Sequence, residues 1–167
     1  MLDLLITNAT LPDGRQSISV AVRDGRIVEV APGLQAPAHE TIDASGLLLS
    51  PPFVDAHFHL DSALTYGQPR VNASGTLLEG IALWAELKPT LTHEAIVERA
   101  LAYCDGAVAQ GLLAIRSHVD TSDPRLLAVQ ALLDVKQRVA PYLDLQLVAF
   151  PQDGLLRHPG GPDTLQA

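Results

Sequence analysis

Two histidines separated by a single residue are the first candidates for chemistry in this sequence. His57 and His59 lie in "VDAHFHLDSA", in the middle of an apolar segment. Alternate side chains of a β-strand point to the same face, so the two imidazoles would project together, with Asp55 behind them. Such a pair suits a first-row divalent metal ion, but an isolated H-x-H pattern also fits structural histidines held by hydrogen bonds.

Composition narrows the class of protein in which these histidines occur. The 167 residues are 47% hydrophobic and 18% charged, which is typical of a globular chain with a sizeable core. The net charge of −8 disfavours nucleic acid or an anionic membrane as a partner. The single cysteine, Cys104, excludes an intrachain disulfide framework and fits the reducing cytoplasm. We expect no secretory signal and no membrane span, because the first residues lack a basic region and no apolar run approaches about 20 residues.

The first 50 residues predict a β-rich segment that is part of a small β-sandwich domain. The stretches "LLIT", "SISVAVR" and "RIVEVA" are rich in strand-forming residues. Asp24-Gly25 separates the last two stretches and predicts a hairpin turn between them. The following stretch, "APGLQAPAHE" at residues 31–40, predicts a loop.

From residue 51 to residue 167 the pattern changes to alternating strands and helices. The stretches "FVDAHFHL", "LLAIRSHVD" and "LDLQLVAF" predict strands. Helices are predicted over about 76–88, after a cap at Thr92, and from Asp123-Pro124 onward. Cys104 falls on the apolar stripe of the second helix, which predicts a buried packing residue. This alternation indicates a parallel β/α architecture.

Polar residues collect at the predicted C-terminal ends of these strands. His118 and Asp120 share one face near the end of the second strand, and Gln152 follows the third. A (β/α)8 barrel carries its active site at that end, so the pattern favours a barrel enzyme. Such a barrel needs about 250 residues, and about three of its eight strands are recognisable here. We therefore expect an incomplete barrel, the first part of a longer enzyme.

Four stretches give the sequence a more specific resemblance. They are "PPFVDAHFHLDSALTYGQP", "SGTLLEGIALWAELK", "IRSHVDTSD" and "VKQRVAPYLDLQLVAFPQDGLL". Together they resemble the N-terminal part of bacterial cytosine deaminases of the amidohydrolase superfamily. The resemblance implies a distorted (β/α)8 barrel with one divalent metal ion, iron or zinc, at its mouth.

The resemblance also implies roles for individual residues. His57 and His59 match the two metal ligands of the first strand. Gln152 matches the glutamine whose amide recognises the pyrimidine edge, since an amide offers both donors and acceptors. Leu77 matches a residue that contacts the substrate through its backbone.

Three further residues are expected to support the site without binding metal or substrate. Asp61 follows the H-x-H motif and is expected to fix the ligand strand by hydrogen bonds, as carboxylates beside metal sites commonly do. His118 and Asp120 are expected to orient their neighbours from the second strand. Asp55 stands where the family has a glutamate, and both residues carry a carboxylate.

For the intact enzyme, the resemblance implies hydrolysis of cytosine to uracil and ammonia. The partner would be the free nucleobase, and the full-length form would be a homo-oligomer. The acid/base residues and the remaining metal ligands are expected beyond residue 167, so this chain contains no catalytic residue of its own. Two alternatives stay open: another amidohydrolase reaction, on isocytosine, creatinine, a pterin or a cyclic amide, or an inactive fragment that serves as an interaction or structural piece.

Overall fold

The computed structural model describes residues 1–156 and 161–166. The chain divides into two compact units, Met1–Pro51 and Pro52–Ala167. Among the described residues, no helix has the length and apolar character that crossing a membrane requires.

The first unit is a four-stranded sheet in the order β3-β2-β1-β4. β1 pairs antiparallel with β2 and parallel with β4, and β2 pairs antiparallel with β3. The strands are β1 (Leu2–Ala9), β2 (Ile18–Arg23), β3 (Arg26–Pro32) and β4 (Ala38–Asp43).

The hairpin between β2 and β3 forms where Asp24-Gly25 predicts it. Both residues have positive φ, 52° and 69°, as the tightest hairpin turns require. The loop prediction for residues 31–40 is wrong at both ends, because β3 extends to Pro32, and β4 begins at Ala38 and pairs with Leu2 of β1. The sequence of β4, "AHETID", has little strand character of its own, so the pairing with β1 decides its conformation.

The second unit alternates strands and helices around a parallel three-stranded sheet in the order β5-β6-β7. This matches the predicted parallel β/α architecture. The elements are β5 (Phe53–Phe58), α1 (Leu77–Leu87), α2 (His93–Ala109), β6 (Leu112–Asp120), α3 (Leu127–Val139), β7 (Asp144–Phe150) and α4 (Gly161–Gln166).

The core of this unit lies where α2 and α3 pack together and against β6 and β7. The prediction that Cys104 is a buried packing residue is confirmed, since its side chain is inaccessible to solvent. The apolar residues of α3 that pack into this core are also buried. The fully buried or nearly buried members of the core are Leu60, Ala63, Ile96, Val97, Ala100, Cys104, Ile115, Val119, Ala128, Ala131, Leu132, Val135, Val139, Leu143 and Leu145.

Threonine caps set the starts of the first two helices. Oγ1 of Thr76 accepts a hydrogen bond from the Glu79 backbone N–H at 3.3 Å, and Oγ1 of Thr92 accepts one from Ala95 at 3.2 Å. Each cap satisfies an N–H group that has no partner within the helix. The cap predicted at Thr92 is therefore confirmed.

The third helix starts later than predicted. The Asp123 carboxylate accepts hydrogen bonds from the backbone and side chain of Arg125, and this contact closes a turn. Leu126 then adopts φ of 50° before α3 begins at Leu127. The prediction that Asp123-Pro124 opens the helix is wrong because the aspartate stabilises a turn instead.

Candidate metal and substrate site

The two histidines of the H-x-H motif come together at the end of β5. The strand ends at Phe58, so His57 lies within it and His59 follows it. The predicted strand extended to Leu60, but a 3-10 turn starts there, and the Leu60 backbone N–H donates to Oγ of Ser117 at 3.0 Å. The His57 and His59 ring centroids are nonetheless 5.3 Å apart in an edge-on arrangement.

The spacing and donor chemistry of this pair fit one divalent metal ion. At metal–nitrogen distances of about 2.0–2.1 Å, two imidazoles on one tetrahedral ion have ring centroids about 5 Å apart. Burial and the neighbouring His57 lower the pKa of His59, which favours the neutral imidazole that binds metals. Within residues 1–156 and 161–166, no three His, Cys, Asp or Glu side chains form a group suited to a metal ion. The described residues therefore offer two candidate ligands for such an ion.

A third imidazole, that of His118 on β6, packs against the pair. Its ring stacks on His57 with centroids 4.0 Å apart and an interplanar angle of 24°. The Phe150 ring at the end of β7 meets both His59 and His118 edge-on, at 5.3 and 5.8 Å. Burial and the charges of the other two imidazoles lower the pKa of His118. The geometry places His118 as a packing partner that restricts the His57 ring.

Asp61 joins the turn after β5 to the end of β6. The side chain is buried, and its Oδ2 accepts a hydrogen bond from the Asp120 backbone N–H at 2.9 Å. Burial raises the pKa of the Asp61 carboxyl to about 6. From α2, the Arg99 guanidinium donates to the backbone carbonyls of Asp61 and Ala63. These contacts hold the segment that follows the histidine pair.

Asp120 contacts residues that sequence reasoning did not single out. Its Oδ2 accepts a hydrogen bond from the indole N–H of Trp84 at 2.9 Å and lies 2.6 Å from Nζ of Lys88. Burial raises the pKa of the Asp120 carboxyl, but hydrogen bonds from Lys88, the Ser122 backbone and Trp84 together outweigh burial and lower it overall. The same ammonium contacts Asp153 at 2.9 Å. Asp120 and Asp153, near the ends of neighbouring strands, could have indicated a nearby cation, but no sequence spacing identifies Lys88 as that cation.

A cavity of about 360 Å³ lies beside His59. His59, Leu77 and Gln152 all contribute to its lining, together with Trp84. Its size falls within the range of about 300–1,000 Å³ that is typical of small-molecule sites. The structure thus brings a predicted metal ligand, His59, and both predicted substrate contacts, Leu77 and Gln152, to one cavity. Asp61 also lines this cavity, whereas His118 and Asp120 lie on β6 and contact His57 and Asp61 respectively.

The family of the chain follows from its sequence match. A model of the amidohydrolase family matches residues 40–166. The chain therefore belongs to the amidohydrolase family, whose members are generally metal-dependent. The resemblance of the motif-bearing stretches to this superfamily is confirmed.

Individual relatives include enzymes that act on six-membered nitrogen heterocycles. The N-isopropylammelide isopropyl amidohydrolase of Pseudomonas sp. (strain ADP) is 33% identical over 157 residues, which are 91% of this chain and 39% of that protein. The structure of 5-methylcytosine deaminase from Klebsiella pneumoniae, liganded with 5-fluorocytosine, is 42% identical with a TM-score of 0.89 and covers 96% of this chain. The N-isopropylammelide isopropylaminohydrolase of Burkholderia multivorans ATCC 17616 is 28% identical with a TM-score of 0.79 and covers 99% of this chain.

These matches also confirm the predicted fold class. The structural neighbours are amidohydrolase (β/α)8 barrels, and this chain corresponds to part of one. It spans 39% of the Klebsiella chain and 42% of the Burkholderia chain. β5, β6 and β7 with their helices are thus barrel units, and the cavity lies where such barrels carry their active sites.

Proposed function

We propose that the protein that contains this chain hydrolytically deaminates cytosine or a close pyrimidine analogue, giving uracil or its analogue and ammonia. One observation carries this proposal: His59 and Gln152 line the same cavity, so a candidate metal ligand and a candidate base-reading amide face one small-molecule site. The likeness to a 5-methylcytosine deaminase liganded with 5-fluorocytosine or phosphonocytosine supports this choice of substrate.

His57 and His59 would hold the divalent ion, iron or zinc. When bound, such an ion supplies a water molecule of lowered pKa near neutral pH. His118 restricts the His57 ring by stacking on it, and Asp61 fixes the turn that carries His59 through its hydrogen bond to β6. These two contacts keep the imidazoles in place, as groups around a metal site commonly do.

Gln152 would orient the pyrimidine. Its amide donates through the NH₂ group and accepts through the oxygen, so it matches a ring edge that presents one acceptor and one N–H. Leu77 opens α1 at the cavity wall, where its backbone would contact the ring. Apolar side chains of α1, including Leu83 and Trp84, line the same cavity and would exclude water from the ring.

In the overall reaction, water adds at the ring carbon that bears the amino group, and ammonia leaves from that carbon. A proton must move to the departing nitrogen, which requires an acid/base group. We assign that group, and the remaining metal ligands, to segments that this chain does not contain.

The decisive experiment uses the full-length protein encoded by the gene, loaded separately with iron and with zinc. Ammonia release is measured with cytosine, 5-methylcytosine and uracil. Uracil lacks the amino group that would leave and is the negative control. We expect turnover of the first two and none of uracil. Metal-loaded protein that releases no ammonia from either pyrimidine would refute the proposal.

A second candidate is hydrolysis of an alkylamino group from a triazine ring. The 33% identity to an N-isopropylammelide isopropyl amidohydrolase over 91% of the chain favours it. The same assay distinguishes the candidates, because N-isopropylammelide would release isopropylamine instead of ammonia.

A further inference from the structure

A mostly buried cation joins three elements beside the candidate site. Lys88 follows α1 directly, and its Nζ lies 2.6 Å from Oδ2 of Asp120 and 2.9 Å from Oδ2 of Asp153. Asp120 ends β6, whereas Asp153 lies in the turn after β7, next to Gln152. The Lys88 side chain is 14% exposed, that of Asp120 4% and that of Asp153 26%. The functional proposal above assigns a role to Gln152 but none to Lys88.

The charge balance of this cluster depends on the ammonium. Asp120 and Asp153 both contact the same nitrogen, so the two carboxylates lie close together and would repel each other without it. Burial lowers the pKa of Lys88, but hydrogen bonds to both carboxylates outweigh burial and raise it above its usual value. Removing one member of a buried ionic group leaves uncompensated charge, which is strongly destabilising to the local arrangement.

A second route ties the same turn to β6. The Asp153 backbone N–H donates to Oγ of Ser122 at 3.0 Å, and the Ser122 backbone N–H donates to Oδ1 of Asp120 at 2.8 Å. Asp120 thus takes part in both routes, one through Ser122 and one through Lys88. The turn that carries Gln152 is held to the rim of the sheet at the residue directly after the glutamine.

We propose that Lys88 is a positioning residue, whose ion pairs with Asp153 and Asp120 fix the turn that presents the Gln152 amide to the cavity. This inference rests on the proposed function only in assigning Gln152 to the substrate. A lysine that merely stabilised the end of α1 would affect unfolding but not substrate affinity. The two roles therefore differ in their effect on KM.

The kinetic test compares Lys88→Met with Lys88→Arg in the metal-loaded protein as its gene encodes it. The control is Arg138→Met, which removes another ion pair, the one between Arg138 and Asp134 on the surface of α3. Misplacement of a binding group by about 1 Å can cost about 10²-fold in rate. We expect Lys88→Met to raise KM for cytosine at least about 10-fold with unchanged metal content, and Lys88→Arg to recover part of the loss. An unaltered KM in Lys88→Met would overturn the proposal.

A second variant keeps the proposal testable if Lys88→Met fails to fold. Asp153→Asn preserves the contact between Lys88 and Asp120 and weakens the ion pair between Lys88 and the turn. Asp153→Asn should also raise KM for cytosine. The double variant with Lys88→Met should raise KM by less than the product of the two separate effects, because both substitutions act through one interaction. Fully independent effects of the two substitutions would contradict the proposed link.

Hydrogen–deuterium exchange separates this inference from the proposed function. In Lys88→Met, backbone exchange should rise in residues 151–156 and stay unchanged in α3, whereas Arg138→Met should leave residues 151–156 unchanged. If the wild-type protein acts on neither cytosine nor 5-methylcytosine, the proposed function fails, and exchange alone decides whether Lys88 holds the turn. Unchanged exchange at residues 151–156 in Lys88→Met would refute the positioning role whatever the substrate.

Discussion

Each imidazole of the candidate metal pair is restrained by a different neighbour. His57 is covered by the His118 ring, and His59 meets Phe150 edge-on. Side-chain order of this kind reduces the entropy that is lost when a ligand or ion binds. Gln152 lies at the same cavity as His59 but at the end of another strand, so specificity and metal binding can be altered separately.

Replacing Gln152 tests that separation. In the protein as its gene encodes it, Gln152→Ala should lower kcat/KM for cytosine about 10- to 10²-fold, because a site that loses a hydrogen-bonding group discriminates poorly. Metal content, measured by atomic absorption, should stay at the wild-type level. Gln130→Ala on the exposed side of α3 is the matched control. An unchanged kcat/KM in Gln152→Ala would remove this glutamine from the site.

Cys104 should be chemically inert in the folded protein. Its side chain is fully buried in α2, and burial raises the pKa of the thiol to about 11. The reactive thiolate is therefore scarce near neutral pH, and reagents cannot reach it. We expect reaction with a thiol-specific reagent at pH 8 only after denaturant is added. Rapid modification of the native protein would show that α2 does not pack as described.

At the scale of elements, features set by neighbouring residues were predictable from the sequence, whereas features set by tertiary contacts were not. The Thr92 cap and the Asp24-Gly25 turn are local chemistry, and both were predictable from neighbouring residues. β4 was not, because its conformation depends on pairing with β1, and α3 starts late because Asp123 stabilises a competing turn. The sequence predicted which polar residues follow the strands at the candidate site, although β5 ends at Phe58, two residues before its predicted end. The Lys88 contacts join residues 32 and 65 positions apart, which no local pattern encodes.

The packing of α3 can be tested with two adjacent leucines. Leu132 is 0% exposed, whereas Leu133 is 49% exposed. Leu132→Ala should lower the free energy of unfolding by about 2–5 kcal/mol, because it removes buried methyl groups and leaves a cavity. Leu133→Ala should change it by less than about 1 kcal/mol. Denaturant titration measures the free energy of unfolding of both variants. Equal losses of free energy would show that the buried face of α3 is assigned wrongly.

The start of α1 should respond to acid. Glu79 accepts hydrogen bonds from Ser74 and forms an ion pair with Arg70. These contacts lower the pKa of the Glu79 carboxyl from 4.5 to about 2. A lowered folded-state pKa stabilises the folded state above pH 4.5, and that contribution is lost as pH falls toward 2. Glu79→Gln should therefore destabilise the protein near pH 7, and the gap from wild type should narrow below pH 4.5. Parallel stability profiles for the two proteins would contradict this assignment.

For the molecule as a whole, the 167-residue chain produced alone should show no deaminase turnover. Its described residues bring two candidate ligands together but form no group of three suited to a metal ion. Loss of a general acid/base group alone typically forfeits a factor of about 10²–10⁴. Steady ammonia release from cytosine by the metal-loaded 167-residue chain would show that it holds a complete site.

The same chain should associate with itself. β5 is an outer strand of its sheet, and Phe53 and Val54 on it are 65% and 67% exposed. Exposed apolar residues on an outer strand favour pairing with other chains. We expect size-exclusion chromatography to give species larger than a monomer, whereas Phe53→Lys should shift the profile toward smaller species. A sharp monomer peak for the unaltered chain would contradict this.

The order β5-β6-β7 repeats the order of these strands along the chain. During synthesis on the ribosome, each strand therefore finds its neighbour already present, and no pairing waits for a distant segment. His57 and His59 emerge first, His118 then arrives to stack on His57, and the Lys88–Asp153 contact closes last. The three strands and the contacts of the candidate site can thus form in the order in which their residues are synthesised.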